Sequence, residues 1–423
     1  MWSALTHAGR CPARSAVLCA FLLCVGSVSA TAASSTLSRF VRESVAANAA
    51  VLAAEAALRG HLAREAGAES SYDNPELSVE TEEIGAFGRN DDPKVRRYVV
   101  GITQQLDLFG KRRARAGTAK AHRLAAEAEL EAARAAAADE LLNALARHQT
   151  AEAQVALLAQ HERTMGDFEM LAARRRAAGD ISGIDAGVAT LALVETRMWR
   201  AEVEAERAAA RRAVQSVTFA DEAAWPALGF DPPPLEDVAA EAVAALPAVR
   251  AARRRADAAN AAVQAEQRAR LPDPVVGAGV GRESGVGVVE LSVSVPLPVL
   301  NRNAHGVPAA EADEAALRRD ADDLAHRARA HLLASAERYS IARRAWYEWQ
   351  ERGAAALEAR EALARRSWEA GELTPGEYLA HVEAVVGLRV RALDLRRTVW
   401  EAWFEWLLAS GRLEQWLGGG DAT

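Results

Sequence analysis

The sequence predicts a mainly α chain that also carries a membrane β-barrel, built as a duplicated strand–strand–long helix–helix unit. Three observations carry this. First, the 423-residue chain repeats itself: Gly179 and Gly371, in the matching breaks Ala178-Gly179-Asp180 and Ala370-Gly371-Glu372, lie 192 positions apart. Gly110 and Asn301, at the two strand-to-helix junctions, lie 191 apart, so the spacing holds to within one residue over the helical part. Second, each copy opens with two runs that alternate apolar and polar residues. Third, each pair of runs leads into a very long stretch rich in Ala, Glu, Arg and Leu.

At the N-terminus, Arg10 and Arg14 precede an apolar run, Ala16 to Val28, and then Ser29-Ala30. A basic region, an apolar region and a small-residue cleavage site read as a secretory signal over residues 1–30. Cys11, Cys19 and Cys24 are the only cysteines and all lie inside it, so the processed chain is expected to hold together without disulfides. A first amphipathic helix is expected near Thr36 to Ala66.

The first hairpin runs from Pro75 to Ala86 and from Val95 to Leu108. Leu77 and Val79 face one way and Glu76, Ser78 and Glu80 the other. On the second strand Tyr98, Val100, Ile102, Leu106 and Leu108 share a face, opposite Val99, Gly101, Thr103, Gln105 and Asp107. A polar loop, Gly85 to Pro93, joins the two. The second hairpin runs from Pro274 to Gly281 and from Val286 to Val295, with a turn at Arg282 to Gly285. Val289, Leu291, Val293 and Val295 alternate with Val288, Glu290, Ser292 and Ser294. Runs of about 9–11 residues match a tilted strand crossing a bilayer, and apolar-out, polar-in alternation is the signature of a water-filled barrel. Four strands cannot close such a barrel, and an open edge is forbidden in lipid. Several chains must therefore share one barrel. Two chains give eight strands, which leave room only for side chains, so a conduit favours three or more.

From Lys111 to Ala177 the chain is dense in strong helix formers. At about 1.5 Å per residue this makes a helix on the order of 100 Å long, which calls for coiled-coil packing. Past the break at Gly179 a return helix is expected from about Ile184 to Val217, and past Gly371 another from about Glu377 to Ser410. Pro226, Pro232, Pro233 and Pro234 mark the linker between the copies. Shorter helices follow, with Pro247 at the N-terminal end of one, where proline is tolerated.

The formal net charge of −7 and the acidic pI of about 5.8 give no sign of nucleic-acid binding. The arginine runs 174–176 and 253–255 read as solvated helix faces. No phosphate loop, metal-ligand pair or nucleophile elbow appears, so neither enzyme, cofactor nor resident metal is expected. His122, His148 and His161 read as solvated helix residues, and the late tryptophans as core packing or subunit contacts. At the breaks, Gly179 and Gly371 are expected to permit the backbone turn. Asp180, Asp185, Glu372 and Glu377 either form carboxylate rings once copies assemble, which would favour cations, or serve as turn and helix-start residues.

Three segments resemble the TolC family of outer-membrane efflux channels. Gln104 to Arg112 is similar to that family's strand-to-helix junction, and most to the branch serving cobalt-zinc-cadmium cation pumps. Val293 to Asn303 is similar to the junction of the repeat. Arg366 to Thr374 is similar to the turn at the periplasmic tip, with Trp368 where tyrosine is common. The resemblance implies a homotrimer with a twelve-stranded β-barrel in the outer membrane of a Gram-negative cell and a twelve-helix periplasmic tunnel. The chain then divides into the signal (1–30), an N-terminal helix with the first copy (31–225; strands 75–108, tunnel helices 110–218) and a linker with the second copy (226–423; strands 274–296, tunnel helices 305–410). It implies a passive export duct for heavy-metal cations. Its partners would be outer-membrane lipid, a periplasmic adaptor and an inner-membrane pump of the resistance-nodulation-division type. Gly179, Asp180, Asp185, Gly371, Glu372 and Glu377 would dock the adaptor. Gly110, Lys111, Arg112, Asn301 and Arg302 would mark the junctions. A drug-efflux or type I secretion duct, or a structural surface coiled coil, are the alternatives.

Overall fold

The computed structural model describes residues 35–70, 72–84, 95–229, 231–235, 240–299 and 302–418. The signal segment 1–30, the loop Gly85–Pro93 and Asn301 lie outside the described residues. In chain order the elements are α1 (Ser35–Ala47), α2 (Ala49–Ser70), β1 (Glu76–Ile84), β2 (Val95–Gln105), α3 (Lys111–Ala178) and α4 (Gly183–Val217). Then come α5 (Pro247–Ala269), β3 (Val275–Glu283), β4 (Val286–Ser294), α6 (Gly306–Glu348), a π turn (Trp349–Gly353), α7 (Ala354–Glu369), α8 (Pro375–Ser410) and α9 (Leu413–Gly418).

The expected single first helix is two. Asn48 interrupts it, and its side-chain oxygen accepts from the backbone N–H of Ala50 to start α2. Asparagine is favoured at such a start because its short side chain satisfies an orphan N–H.

The four strands form one antiparallel sheet in the order β1-β2-β3-β4. Its register sorts the side chains as the alternation predicts. Leu77, Ile102, Ala278 and Leu291 stand in one row, and Val79, Val100, Val280 and Val289 in the next. This face is open: Leu77 is 72% exposed, Val289 78% and Leu291 82%. The other face carries Ser78, Gly101, Gly279 and Glu290 in one row and Glu80, Val99, Gly281 and Val288 in another. On it Arg97 of β2 reaches across β3 to pair with Glu290 of β4 at 2.5 Å. Between them β3 presents Gly279 and Gly281, and a Cβ at Gly279 would sit 2.8 Å from the Val99 side chain. Glycine here lets neighbouring strands approach closely on the polar face. Ser284 (φ 46) and Gly285 (φ 89) close the β3–β4 hairpin; a two-residue turn with both central φ positive matches the natural strand twist. Among the described residues of one chain β1 and β4 each have an unpaired edge.

β2 ends at Gln105, three residues short of the expected Leu108. Leu106 and Leu108 therefore belong to the connection into α3. The reason is Asp107, whose carboxylate turns back to accept from the backbone N–H groups of Lys111 (2.7 Å) and Arg112 (2.8 Å).

The main core lies midway along the helices. It draws on Leu37 and Val41 of α1, Leu141 and Leu145 of α3, Val214 and Val217 of α4, Tyr339 of α6, and Trp400, Trp403, Phe404 and Trp406 of α8. Trp400, Trp403, Trp406 and Trp416 thus lie in this core, with Trp403 and Trp406 stacked at 4.9 Å. His148 and His161 are buried, at 4% and 5% exposure, which corrects their reading as solvated residues. In an alanine-rich helix neighbours come close on several sides, so a histidine can be enclosed without standing in an apolar stripe. Among the described residues no helix is long and apolar enough to cross a membrane.

Candidate functional site

Two places concentrate the chemistry: the turns between paired helices and the junctions between sheet and helices. The turns are copied almost atom for atom. In the first, Gly179 has φ 84, its N–H donates to the Arg176 carbonyl, and the Asp180 N–H donates to the Arg175 carbonyl. In the second, Gly371 has φ 79, its N–H donates to the Trp368 carbonyl, and the Glu372 N–H donates to the Ser367 carbonyl. A left-handed residue is required to end a helix this way, and only glycine adopts it without steric cost.

The return helices start alike. Ser182 Oγ accepts from the Asp185 N–H at 3.1 Å, and the Asp185 carboxylate accepts from the Ser182 N–H at 3.2 Å. Thr374 Oγ1 accepts from the Glu377 N–H at 3.3 Å, and the Glu377 carboxylate accepts from the Thr374 N–H at 2.9 Å. Each is a reciprocal capping box. The Glu377 carboxyl is held below its ordinary range by the Thr374 backbone N–H first and the Thr374 hydroxyl second. Asp185 and Glu377 thus spend their oxygens on their own helix starts, whereas the Asp180 and Glu372 side chains stand exposed.

The two turns lie against one apolar cluster. Ile181 and Leu373, one from each turn, pack on a core of Met165, Phe168, Leu193, Trp368 and Tyr378. Trp368 stacks on Tyr378 (5.0 Å) and meets Phe168 edge-on (5.5 Å), while the Arg175 guanidinium lies 4.5 Å over the Trp368 ring. Arg197 and Arg389 sit 192 positions apart and each ties its return helix to the preceding one, Arg197 to Glu162 (2.9 Å) and Arg389 to Glu361 (2.5 Å).

At the first junction Gly110 has φ 71, and the Arg268 side chain donates to the Phe109 carbonyl at 2.7 Å. Burial works to raise the Asp107 carboxyl, but the N–H groups of Arg112, Lys111 and Gly110 together outweigh it and hold the group low. Lys111 reaches Asp273 at 2.9 Å, with the two side chains only 18% and 5% exposed. Gln105 donates to the same carboxylate at 3.2 Å. Arg112 donates to the Glu69 carbonyl at 2.7 Å and covers the Tyr72 ring at 4.3 Å. This end of α3 is thus tied to α2, to β2 and to the residues between α5 and β3. The second junction is built otherwise. Arg302 donates to the Pro298 carbonyl at 3.1 Å. Asn303, at φ 51, donates to the Glu266 carboxylate at 2.6 Å. Sequence reasoning missed Asp107, Asp273 and Asn303. Asp107 could have been found as an acidic residue four positions before a helix start next to a glycine. Asp273 and Asn303 have partners far along the chain and no local signal.

Residues 40–218 match the family model of outer membrane efflux proteins. The fold is similar to solved channels along nearly the whole chain. A CusC crystal structure aligns at 16% identity and TM-score 0.72, covering 90% of this chain and 93% of that one. The Campylobacter jejuni CmeC outer membrane channel aligns at 13% identity and TM-score 0.76, covering 89% and 86%. The open-state Neisseria gonorrhoeae MtrE outer membrane channel aligns at 17% identity and TM-score 0.71, covering 91% and 93%. No curated protein sequence matches significantly. The protein thus has the fold of the outer-membrane efflux channels, and its first copy also matches that family's sequence model.

Proposed function

We propose that the protein is a passive export duct in the outer membrane, the outermost part of a tripartite efflux system. Three copies close a twelve-stranded barrel, β4 of one chain against β1 of the next, above a tunnel of twelve periplasmic helix segments. The observation that carries this is the four-stranded sheet: one face is apolar and exposed, the other polar, and both edges are open. In water such a sheet would aggregate. In lipid it is stable only as part of a closed ring.

The helix turns face the periplasm and dock an adaptor, through Gly179 and Gly371 and the exposed Asp180 and Glu372. An inner-membrane pump of the resistance-nodulation-division type supplies the energy. The cargo is heavy-metal cations. Support for this comes from the likeness of Gln104–Arg112 to the cation-efflux branch and from the acidic polar face of the sheet, with Glu76, Glu80, Glu82 and Glu290 against Arg97. Carboxylates along a pore favour cations.

The test is single-channel conductance of the purified protein in a planar bilayer, with divalent cations titrated from the helical side. Discrete conductance that divalents block, and that Asp180→Asn with Glu372→Gln relieves, is the expected result. Conductance without that sensitivity keeps the duct and removes the tip carboxylates from cation selection. Silence, also in variants with disrupted tips, overturns the duct.

A further inference from the structure

Close to the sheet, four basic side chains share one cavity. α2 and α3 run antiparallel, as the pairs Glu65–Arg123 and Glu55–Arg134 show. Residues three, four or seven apart share a helix face. His61 and Arg64 of α2 and Arg115 and His122 of α3 thus look into one space, a cavity of about 470 Å³ that Glu266 of α5 also lines. α3 starts at Lys111, so Arg115 lies about 6 Å and His122 about 17 Å along it.

The charge in this cavity is one-sided. Close by, arginines have their acids: Arg123 has Glu65 at 2.5 Å, Arg134 has Glu55 at 2.9 Å and Arg255 has Glu129 at 2.5 Å. Among the described residues neither Arg64 nor Arg115 forms an ion pair. Asp107 feels the Arg115 charge, but its carboxylate is taken by the N–H groups of Lys111 and Arg112. The Glu266 carboxylate accepts from Asn303 at 2.6 Å.

Arg64 Nη1 donates to His61 Nδ1 at 3.4 Å, which leaves the proton of the neutral ring on Nε2. The His61 and His122 rings lie nearly parallel with centroids 5.8 Å apart. Burial first, then the Arg64 charge and then His122 hold the His61 ring below its ordinary range, and only Glu129 opposes them. Two imidazoles beside two guanidinium groups repel as soon as either ring takes a proton. An anion seated among them removes that repulsion and accepts from all four. A metal cation does not fit, because the guanidinium groups keep their charge at any working pH.

The guanidinium fork matches the paired oxygens of carboxylate and phosphate. A carboxylate offers two oxygens to four donor groups on two helices, whereas a tetrahedral oxyanion offers more. The cavity is also of the size that holds small organic molecules, so it leaves room for what the oxyanion is attached to.

We infer that the cavity between α2, α3 and α5 is a binding site for a phosphoryl group, held by Arg64 and Arg115 and, in their protonated forms, by His61 and His122. Such a site needs neither a conducting pore nor a partner protein, and so stands apart from the duct reading.

The test is equilibrium dialysis of the full chain in maltoside micelles, which carry no phosphate, against radiolabelled inorganic phosphate at fixed chloride. Saturable binding of one phosphate per chain is expected. Arg64→Gln and Arg115→Gln should each weaken it at least about tenfold, the change that loss of one charge-assisted hydrogen bond brings. Arg113→Gln, at an exposed position off the cavity, should leave it unchanged. With sulfate, which does not titrate in this range, affinity should fall as pH rises from about 5 to about 8 and the imidazoles lose their protons. His61→Asn together with His122→Asn should remove that dependence. Displacement of phosphate by glycerol phosphate assigns the site to a soluble phosphate ester, and displacement by phosphatidylglycerol alone assigns it to a lipid headgroup. No saturable binding in the unaltered protein overturns the site, whatever the variants do. Binding that Arg113→Gln weakens as much as Arg64→Gln overturns it too.

Discussion

The two copies agree where the backbone makes a demand and differ where distant partners do. At the tips both copies use a left-handed glycine, an acidic residue after it, and a hydroxyl-carboxylate capping box. At the junctions they part. The first long helix starts on the Asp107 carboxylate and the Lys111–Asp273 pair. The second, α6, starts without a side-chain cap. A tight turn admits few residues, so duplication preserves it. A helix start buried among other elements can be held in several ways, and each copy has its own.

The largest expected contrast lies at the tip cluster. Trp368 is buried against Phe168 and Tyr378, whereas its counterpart 192 positions earlier is the exposed Arg176. Trp368→Ala should destabilise the helical part by about 4 kcal/mol, the usual range for an enclosed aromatic. Arg176→Ala should stay within about 0.5 kcal/mol. Denaturant unfolding in lipid vesicles, followed by helical signal, measures both, and similar losses would break the comparison.

The junctions come next. Lys111→Ala leaves the Asp273 carboxylate buried without its cation and should cost about 3 kcal/mol. Its counterpart Arg302 is exposed, and Arg302→Ala should change stability by less than about 0.5 kcal/mol by the same unfolding measurement.

At the turns the copies should respond alike. A Cβ at Gly179 or Gly371 meets nothing within 4 Å, so only the backbone angle resists substitution. Gly179→Val and Gly371→Val should each cost about 2 kcal/mol, and asparagine at either site much less, because it tolerates left-handed backbone. Equal tolerance of valine and asparagine would show that the glycines are not held by φ.

Acid gives the smallest and most local contrast. The Asp107 carboxyl is held low, so its support is present above the unfolded value of about 3.9 and is lost as pH falls through the lower folded value. Below that range the first N–H groups of α3 should lose their carboxylate acceptor and fray, whereas the first N–H groups of α6 have no side-chain cap to lose. Amide chemical shifts of Lys111 and Arg112, set against those of Val307 and Ala309, read the difference.

Much of the architecture was legible from local pattern. Alternation in Tyr98, Val100 and Ile102 identified the apolar face because a strand repeats every two residues whatever surrounds it. Gly179 and Gly371 identified the turns because few residues adopt positive φ. Periodicity failed where burial came from many sides, as at His148 and His161. It also ran β2 past Gln105 into Leu106 and Leu108, because an apolar alternation cannot reveal that Asp107 bends the chain.

By itself the sequence determined the duplication, the order of elements, the faces of the strands and the positions of the turns. These depend on interactions within a few residues, which a linear pattern records. Only the tertiary structure decided that Asp107 and Asp273 anchor the first junction, that Asp185 and Glu377 cap their own helices, and that a π turn interrupts the second long helix while α3 runs unbroken. Each of these depends on which groups meet in space, on carboxylates choosing between water and a buried N–H, and on a helix keeping its phase against neighbours far along the chain.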